Sequence, residues 1–599
     1  MVRVSPRLMV LSIAMMSLAS GAGQALDSLD FTVAGGDKTL ERSLRDASAL
    51  VSAEREKNTD PQDLFADARA EYGRLLAALY AAGHYSGVIN VLIDGREAAG
   101  IAPLDAPGAI GRIEVRVDPG PKFAFSRTAI APLAPDTALP DGFRAGQAAL
   151  SGLVAQSVQA GIAGWRAQGN AKAGVASQNV VADHAANTLS AEVALDPGPR
   201  LRFGRLGIEG IERMREARVR KIAGLPEGDR FDPAELDRAV NRLRRTGVFS
   251  SVSLTEADLI RAPDFVDIMA TLVEAKRRRY TFGAEVASFD GVTLTGGWLH
   301  RNLLGGGERL EIIGKVSNIG VQEGGVDYSL DVSLLRPATP GPDTTAGVSF
   351  GIGHLDEDDY QADIARFGVD FTHYFSEQLT ARVGLVYTYA DGTDLTGDFL
   401  YRSLALPIGA TWDRRDSKTD ATEGFYIDAE AKPFLGFGTT DNGARLTMDL
   451  RGYRGFGERF VLAARVQAGA IVGASLLGAP RDDLFYSGGG GTVRGQPYQS
   501  LGETVVVGLD TLELGGTYFL GGSLEARAKV GRRLGVVGFF DVGQIGTGFG
   551  AADSDLHAGA GVGVRYETGF GPIRLDVATP VSGDTGDGVQ IYVGLGQSF

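Results

Sequence analysis

From residue 277 to Phe599, apolar side chains recur at every second position through runs of about ten residues. In Thr380–Ala390, one parity carries Ala381, Val383, Leu385, Tyr387 and Tyr389, and the other carries Thr380, Arg382, Gly384 and Thr388. In Phe460–Val472, one face is Phe460, Leu462, Ala464, Val466, Ala468, Ala470 and Val472, against Arg465 and Gln467 on the other. The chain closes in the same way, with Val589, Ile591, Val593, Leu595 and Phe599 alternating with Gln590, Tyr592, Gly594, Gly596 and Ser598. A period of two is that of a strand whose faces meet different surroundings. Strands of soluble sandwiches run to about five or six residues, whereas a tilted strand needs about ten to cross a bilayer. The pattern therefore predicts an all-β barrel with an apolar outer face and a polar lumen.

Glycine supports the same division of the chain. Residues 1–276 hold 26 glycines and residues 277–599 hold 58, with the basic run Lys276, Arg277, Arg278, Arg279 on the border. No Gly-X-Y period is present, so collagen is excluded. If the barrel has sixteen antiparallel strands, each strand with its connection takes about 20 residues, which accommodates a membrane strand and a turn.

The N-terminus carries Arg3 and Arg7, an apolar stretch from Leu8 to Ala19 and small residues up to Ala25. That arrangement predicts a secretory signal over 1–25, since the stretch is shorter than a spanning helix requires. The exported remainder contains no window that reads as a spanning helix, so it can cross a membrane only as a closed barrel. With no cysteine, thiol catalysis, disulfides and Cys-ligated metals are excluded. A net charge of -15 argues against nucleic acid as a partner. Gly314-Lys315 lacks the context of a phosphate loop, because Arg309 stands at the first glycine position and Val316 follows the lysine. The six histidines show no metal-ligand spacing, and no nucleophile elbow is present. Neither an enzyme activity nor a cofactor or metal is expected.

The first half contains a repeated punctuation. Asp118-Pro119-Gly120-Pro121 and Asp196-Pro197-Gly198-Pro199 lie one unit apart, each after a strand-like run. Inside the units, Leu79-x-x-x-Gly83-x-Tyr85, Trp165-x-x-x-Gly169 and Leu243-x-x-x-Gly247-x-Phe249 each close an amphipathic helix on a glycine. Three βααββ modules are expected, over 27–122, 123–199 and 200–276, followed by the barrel over 277–599.

Modules of this kind ahead of a barrel resemble the POTRA-plus-barrel proteins of the BamA/TamA outer-membrane assembly superfamily. Gly488-Gly489-Gly490-Gly491-Thr492-Val493-Arg494-Gly495 resembles the family's Val-Arg-Gly-aromatic motif on a loop that folds into the lumen, with Gln496 at the fourth place and the aromatic arriving at Tyr498. Phe539-Phe540-Asp541-Val542-Gly543 resembles its Phe-x-Asp-x-Gly strand. Gly561-x-Gly563-x-Arg565 with Gly571-Pro572-x-Arg574-x-Asp576 is similar to the penultimate-hairpin motif, and Asp413-Arg414-Arg415-Asp416 through Gly424 is similar to a fourth. Phe599 at the end of an amphipathic strand resembles the C-terminal signal of outer-membrane proteins.

The resemblance implies a lumen-loop motif of Gly491, Val493, Arg494, Gly495 and Tyr498, and lumen partners Phe539, Asp541, Gly543 and Arg565. The seam and terminal signal would comprise Tyr592, Gly594, Leu595, Gly596 and Phe599. A guanidinium in a confined lumen needs an acidic partner, and Asp541, on the face opposite Val536, Phe540 and Val542, is the candidate. Three modules suit the TamA type, because BamA-type chains carry five and two-partner secretion pores two. The implied function is nucleotide-free insertion or translocation of barrel and autotransporter-like proteins at the cell outer membrane, with the modules in the periplasm. Its implied partners are outer-membrane lipid, unfolded outer-membrane substrates and a TamB-type inner-membrane-anchored protein. The alternative is a two-partner secretion pore for one dedicated substrate. The seam is expected between a first strand near Tyr280–Ser288 and a last strand over Val589–Phe599.

Overall fold

The structure is a computed structural model describing residues 28–599, except 36, 288–290, 321–324, 357–359, 458, 498, 508, 532, 549–553, 570 and 584–587. The expected signal segment, Tyr498 and Ser288 lie outside the described residues. Among the described residues, no helix is long and apolar enough to cross a membrane. Two compact units are present. One holds the described chain to Phe203 with Gly228–Pro233 and Ile260–Val266, and the other holds Gly204–Glu227, Ala234–Leu259 and Asp267–Phe599.

The first unit contains two sheets, each with its own apolar core. In the first sheet, Ser28–Val33 runs parallel to Arg112–Asp118, and Val88–Ile93 pairs antiparallel to the latter. Three helices, Lys38–Ala47, Ala49–Glu56 and Pro61–Ala81, cover it where two were expected, the first two meeting at Ser48, and they bury Leu44, Leu50, Leu75 and Leu79 against Val91, Ile113 and Val115. In the second sheet, Ala124–Ala131 and Gly174–Asp183 flank Thr188–Asp196. Only one helix, Ser151–Ala167, packs there among the described residues, where two were expected. The segment between Ala131 and Ser151 carries Pro132, Pro135, Pro140, Gly142 and Gly146, residues that interrupt a helical ladder. The twin Asp-Pro-Gly-Pro marks are twin turns. Asp118 and Asp196 each accept the backbone N–H of the glycine two residues on, at 3.1 and 3.0 Å, and Gly120 and Gly198 take φ of 64° and 59°.

The second unit contains helix Glu216–Ala223, helix Pro233–Arg245 from Ala234 on, and a large sheet of seventeen strand segments from Arg278–Ala287 to Gln590–Leu595. Two segments, Gly397–Ala405 and Ile408–Asp413, share one register. Val386 pairs with Ala405 and Val383 with Ile408 on one side, and Ala405 pairs with Phe434 and Ile408 with Ala431 on the other. They are one strand interrupted at Leu406–Pro407, and counting them as one gives sixteen wall strands. These are named below by ordinal from strand one, Arg278–Ala287, to strand sixteen, Gln590–Leu595. The outer face carries exposed Leu385, Val466, Phe540, Ile591 and Val593, in the parity that the sequence predicts.

Helices of the third module grip the rim at which strand one begins. The Arg242 guanidinium forks onto Asp343 at 2.8 and 2.6 Å and donates to the Ala223 carbonyl. Arg218 donates to the carbonyls of Pro337 and Gly306, and Arg245 lies 3.8 Å over the Tyr374 ring. At Gly224, in left-handed φ of 60°, a Cβ would come within 2.7 Å of Pro342. The hydrogen bond from Arg242 holds the Asp343 carboxyl below the ordinary aspartate range. Glu274 is lowered as well, because the backbone N–H groups of Arg213, Met214 and Glu212 outweigh the opposing effect of burial.

Candidate functional site: a lumen loop bound to the closing strands

Residues 473–517 leave strand eleven, Phe460–Val472, and return to strand twelve, Tyr518–Lys529. The loop's own core sets its course. Leu484, Phe485, Leu501, Leu512 and Leu514 pack against Phe434, Ile471, Phe519 and Ile545 of the wall. This burial carries Ser487–Gln496 into the barrel and fixes the position of Arg494. Gly488, Gly489 and Gly495 all take positive φ. A Cβ at Gly495 would sit 2.6 Å from the Thr579 carbonyl oxygen, and one at Gly559 in strand fourteen would sit 1.8 Å from the Arg494 oxygen. Glycine at these two points lets the loop lie directly on the wall.

Arg494 is 2% exposed. Its Nε and Nη2 donate to Asp541 Oδ2 and Oδ1 at 2.7 and 2.9 Å, and its backbone N–H donates to the same carboxylate at 3.1 Å. Nη1 donates to Glu525 Oε1 at 2.7 Å and approaches Asp576 at 3.4 Å. The guanidinium carbon lies 3.6 Å from the centroid of the Phe539 ring, a cation–π contact. Arg527 completes Glu525 at 2.8 Å, and Arg565 pairs with Asp576. Three arginines and three carboxylates thus share one buried cluster in which each charge faces at least one of opposite sign. Such a cluster is tolerated away from water because each ion meets opposite charge and hydrogen bonds.

The structure brings together Val493, Arg494, Gly495, Phe539, Asp541, Gly543 and Tyr592, with Arg565 one link away through Asp576. Val493 is fully buried, and its Cγ2 would lie 2.9 Å from a Cβ at Gly543. Gly495 N–H donates to the Tyr592 hydroxyl at 3.0 Å, joining the loop to strand sixteen. Gln496, in the place of the family's aromatic, donates its amide to the carbonyls of Ala558 and Ser582 at 3.0 and 2.9 Å. Gly491 sits apart, accepting from Arg465 of strand eleven. Glu525 and Arg527 belong to the cluster without having been expected there. Their alternation in Leu524-Glu525-Ala526-Arg527, charges on one parity and apolar residues on the other, is the signal that marks them.

The terminal residues require a correction. The expected strand over Val589–Phe599 ends at Leu595, and Phe599 does not share the outer face of Ile591 and Val593. Gly596 takes φ of 87° and turns the chain inward. Its N–H donates to the Pro572 carbonyl, and Gln597 accepts from Arg565 at 2.8 Å while donating to Asp420 at 3.0 Å. Phe599 is buried on the lumen side with Ala421, Tyr453 and Ala463, and the Phe599 oxygen accepts from Arg527 at 3.2 Å. Residue type explains the outcome, since a left-handed glycine breaks the ladder and a phenylalanine fills an apolar niche inside as well as out. Gly594 remains in the ladder opposite Arg574, whose Nε would lie 2.7 Å from a Cβ there. Leu595 closes the ladder opposite Ile573.

Each wall strand pairs with the next from strand one to strand sixteen. No register joins strand one to strand sixteen among the described residues. On the outer face of strand one, Tyr280 is 61% and Phe282 84% exposed.

The Omp85 superfamily domain profile matches residues 302–599, and the surface antigen variable number repeat profile of the POTRA module matches residues 201–274. The first match covers the wall from the turn before strand three onward, and the second covers the third module. The outer membrane protein assembly factor BamA of Nitratidesulfovibrio vulgaris is 25% identical over 398 residues, which are 63% of this chain and 48% of that protein. The match spans about half the length of that relative. Among solved structures, BamA from Haemophilus ducreyi lacking POTRA domains 1-3 superposes with a TM-score of 0.60 at 17% identity, over 78% of this chain and 98% of that one. CdiB from Acinetobacter baumannii gives 0.51 at 11% identity, over 79% and 89%.

Proposed function

We propose that this chain is an outer-membrane assembly factor that passes unfolded barrel and autotransporter-like proteins into or across the outer membrane without nucleotide or chemical catalysis. In this reading it is of the TamA type, with its modules in the periplasm facing a TamB-type partner. One observation carries the proposal: strands one and sixteen share no ladder among the described residues, although every other neighbouring pair does. An uncovered strand edge is a template for another strand. A substrate strand that pairs with strand one satisfies its backbone groups inside the bilayer, where unpaired groups are costly.

The absence of cysteine makes the test direct. One cysteine is placed in each of strands one and sixteen, and the protein is reconstituted in liposomes and offered a barrel protein unfolded in urea. Oxidation should stop insertion and reduction should restore it. Undiminished insertion by fully crosslinked protein would overturn the proposal. The likeness to CdiB supports a second reading, a secretion pore for one dedicated partner. That reading requires steady ion conduction in planar bilayers together with export of the partner.

A further inference from the structure

One arginine stands on the lipid-facing side of the wall with no partner in the protein. Strand eight, Gly397–Ala405 continued by Ile408–Asp413, buries Tyr401, Ser403 and Ala405 toward the lumen, so alternation puts Arg402 on the outer face. There it lies in register between Tyr389 of strand seven, Leu379–Asp394, and Phe437 of strand nine, Gly424–Gly438. Its Nε is buried without a hydrogen-bond acceptor, and among the described residues its guanidinium meets no carboxylate at ion-pair distance. The nearby Arg366, Arg382 and Arg481 differ, because they turn into the lumen and pair with Asp482, Glu430 and Asp394. No other arginine or lysine shares the belt of Arg402 on the outer face among the described residues.

Register gives the depth of this arginine in the bilayer. Toward the rim that carries the third module, Trp412 of strand eight pairs with Leu379 and packs edge-on against Phe425 at 5.0 Å. From Leu379 to Tyr389, a rise of about 3.4 Å per residue and a tilt of about 35–45° give about 24–28 Å, the height of a lipid-facing band. Val383, Leu385 and Ile408 fill the interval, and Tyr387, Leu435 and Phe437 are exposed at its far end. Arg402 therefore lies in the aromatic belt away from the modules, at headgroup depth, where an outward arginine is tolerated because headgroups supply acceptors. We propose that Arg402 anchors the phosphate of an outer-leaflet lipid on strands seven to nine, and that this lipid is a phosphomonoester-bearing glycolipid of the lipopolysaccharide kind. The inference rests on the outer-membrane placement above, with the modules on the periplasmic side. The guanidinium forks onto the phosphate. Tyr387, Leu404 and Leu435 face the acyl chains below it. Asp391, exposed just above and holding the Tyr389 hydroxyl at 3.3 Å, accepts from the sugar hydroxyls.

Native mass spectrometry of the full chain in detergent reads the bound lipid. The probes are bisphosphorylated lipid A, its dephosphorylated form, phosphatidylethanolamine and inorganic phosphate. Arg402→Gln should lower the fraction carrying bisphosphorylated lipid A at least about fivefold, and Arg402→Lys by less, because an ammonium keeps the charge without the fork. Dephosphorylated lipid A should bind the parent protein no better than bisphosphorylated lipid A binds Arg402→Gln. Unchanged retention by an Arg402→Gln protein that keeps folded, heat-modifiable migration on gels would overturn the site. Equal retention of the two lipid A forms by the parent protein would overturn it as well, and that comparison decides alone if the variant does not fold. Displacement of lipid A by phosphatidylethanolamine or by inorganic phosphate would overturn the assignment to a glycolipid. Insertion of a urea-unfolded barrel protein is measured separately, and its failure beside intact lipid retention would count against the proposed function and not against this site.

Discussion

Replacing Arg494 with methionine keeps much of the side chain's length and removes its charge, and the cost can be apportioned carboxylate by carboxylate. Glu525 retains Arg527 at 2.8 Å, and Asp576 retains Arg565. Among the described residues, Asp541 meets no cation but Arg494, and the same side chain supplies two of its three hydrogen bonds. Removing one partner of a buried pair costs about 3–5 kcal/mol, because the other charge is left uncompensated. Most of that cost should therefore fall on Asp541. A double-mutant cycle between Arg494→Met and Asp541→Asn should give a coupling of about 3 kcal/mol or more, and the cycle with Glu525→Gln about 1 kcal/mol. The measurement is denaturant unfolding of the protein refolded in bilayers, followed by the fluorescence of Trp298 and Trp412 in the wall. A coupling to Asp541 below about 0.5 kcal/mol, or one smaller than the coupling to Glu525, would refute the apportionment.

Three further outcomes are expected. Tyr592→Phe leaves the Gly495 N–H unpaired in a buried site, a loss of about 1–3 kcal/mol that unfolding in the same bilayers would register, and retention of full stability would count against the link to strand sixteen. Asp343 is held below the usual aspartate range, so its fork with Arg242 should persist from neutral pH downward and be lost as the pH falls through that depressed folded value. Protease cleavage between the third module and the barrel should rise in that acid window, and Asp343→Asn should show the raised cleavage already at neutral pH. Phe599→Ala should cost about 3–5 kcal/mol, as for other buried aromatics, and a loss below about 1 kcal/mol would show that its niche collapses or fills with water.

The wall was legible in the sequence because period two leaves a mark on every strand, and Val383, Leu385 and Tyr387 point outward as their parity requires. Asp541 was legible for the same reason, lying opposite Phe540 in parity and beside Phe539. The inward turn of the last residues was not, because Phe599 continues the parity of Ile591 and Val593. Only the φ of Gly596, which glycine permits without enforcing, separates the two outcomes. Glu525 and Arg527 were passed over because two charges on one parity describe any lumen face, and their meeting with Arg494 depends on how the loop between strands folds back. The missing helix of the second module was readable in Pro132, Pro135 and Pro140, but the repeat of the turn motif suggested a uniformity that these prolines break.

The position of Arg494 along the chain sets an order of events during folding. All of its partners lie C-terminal to it: Glu525 by 31 residues, Asp541 by 47 and Asp576 by 82, while Tyr592 lies 97 beyond Gly495. No pair of neighbouring strands can form this seat alone, because the seat draws on strands twelve, thirteen, fifteen and sixteen together. Closing the intervening loops costs entropy before any contact repays it. The arginine must therefore remain unseated while the wall grows, and its docking should be a late step in maturation, detectable as a slow phase that Asp541→Asn abolishes.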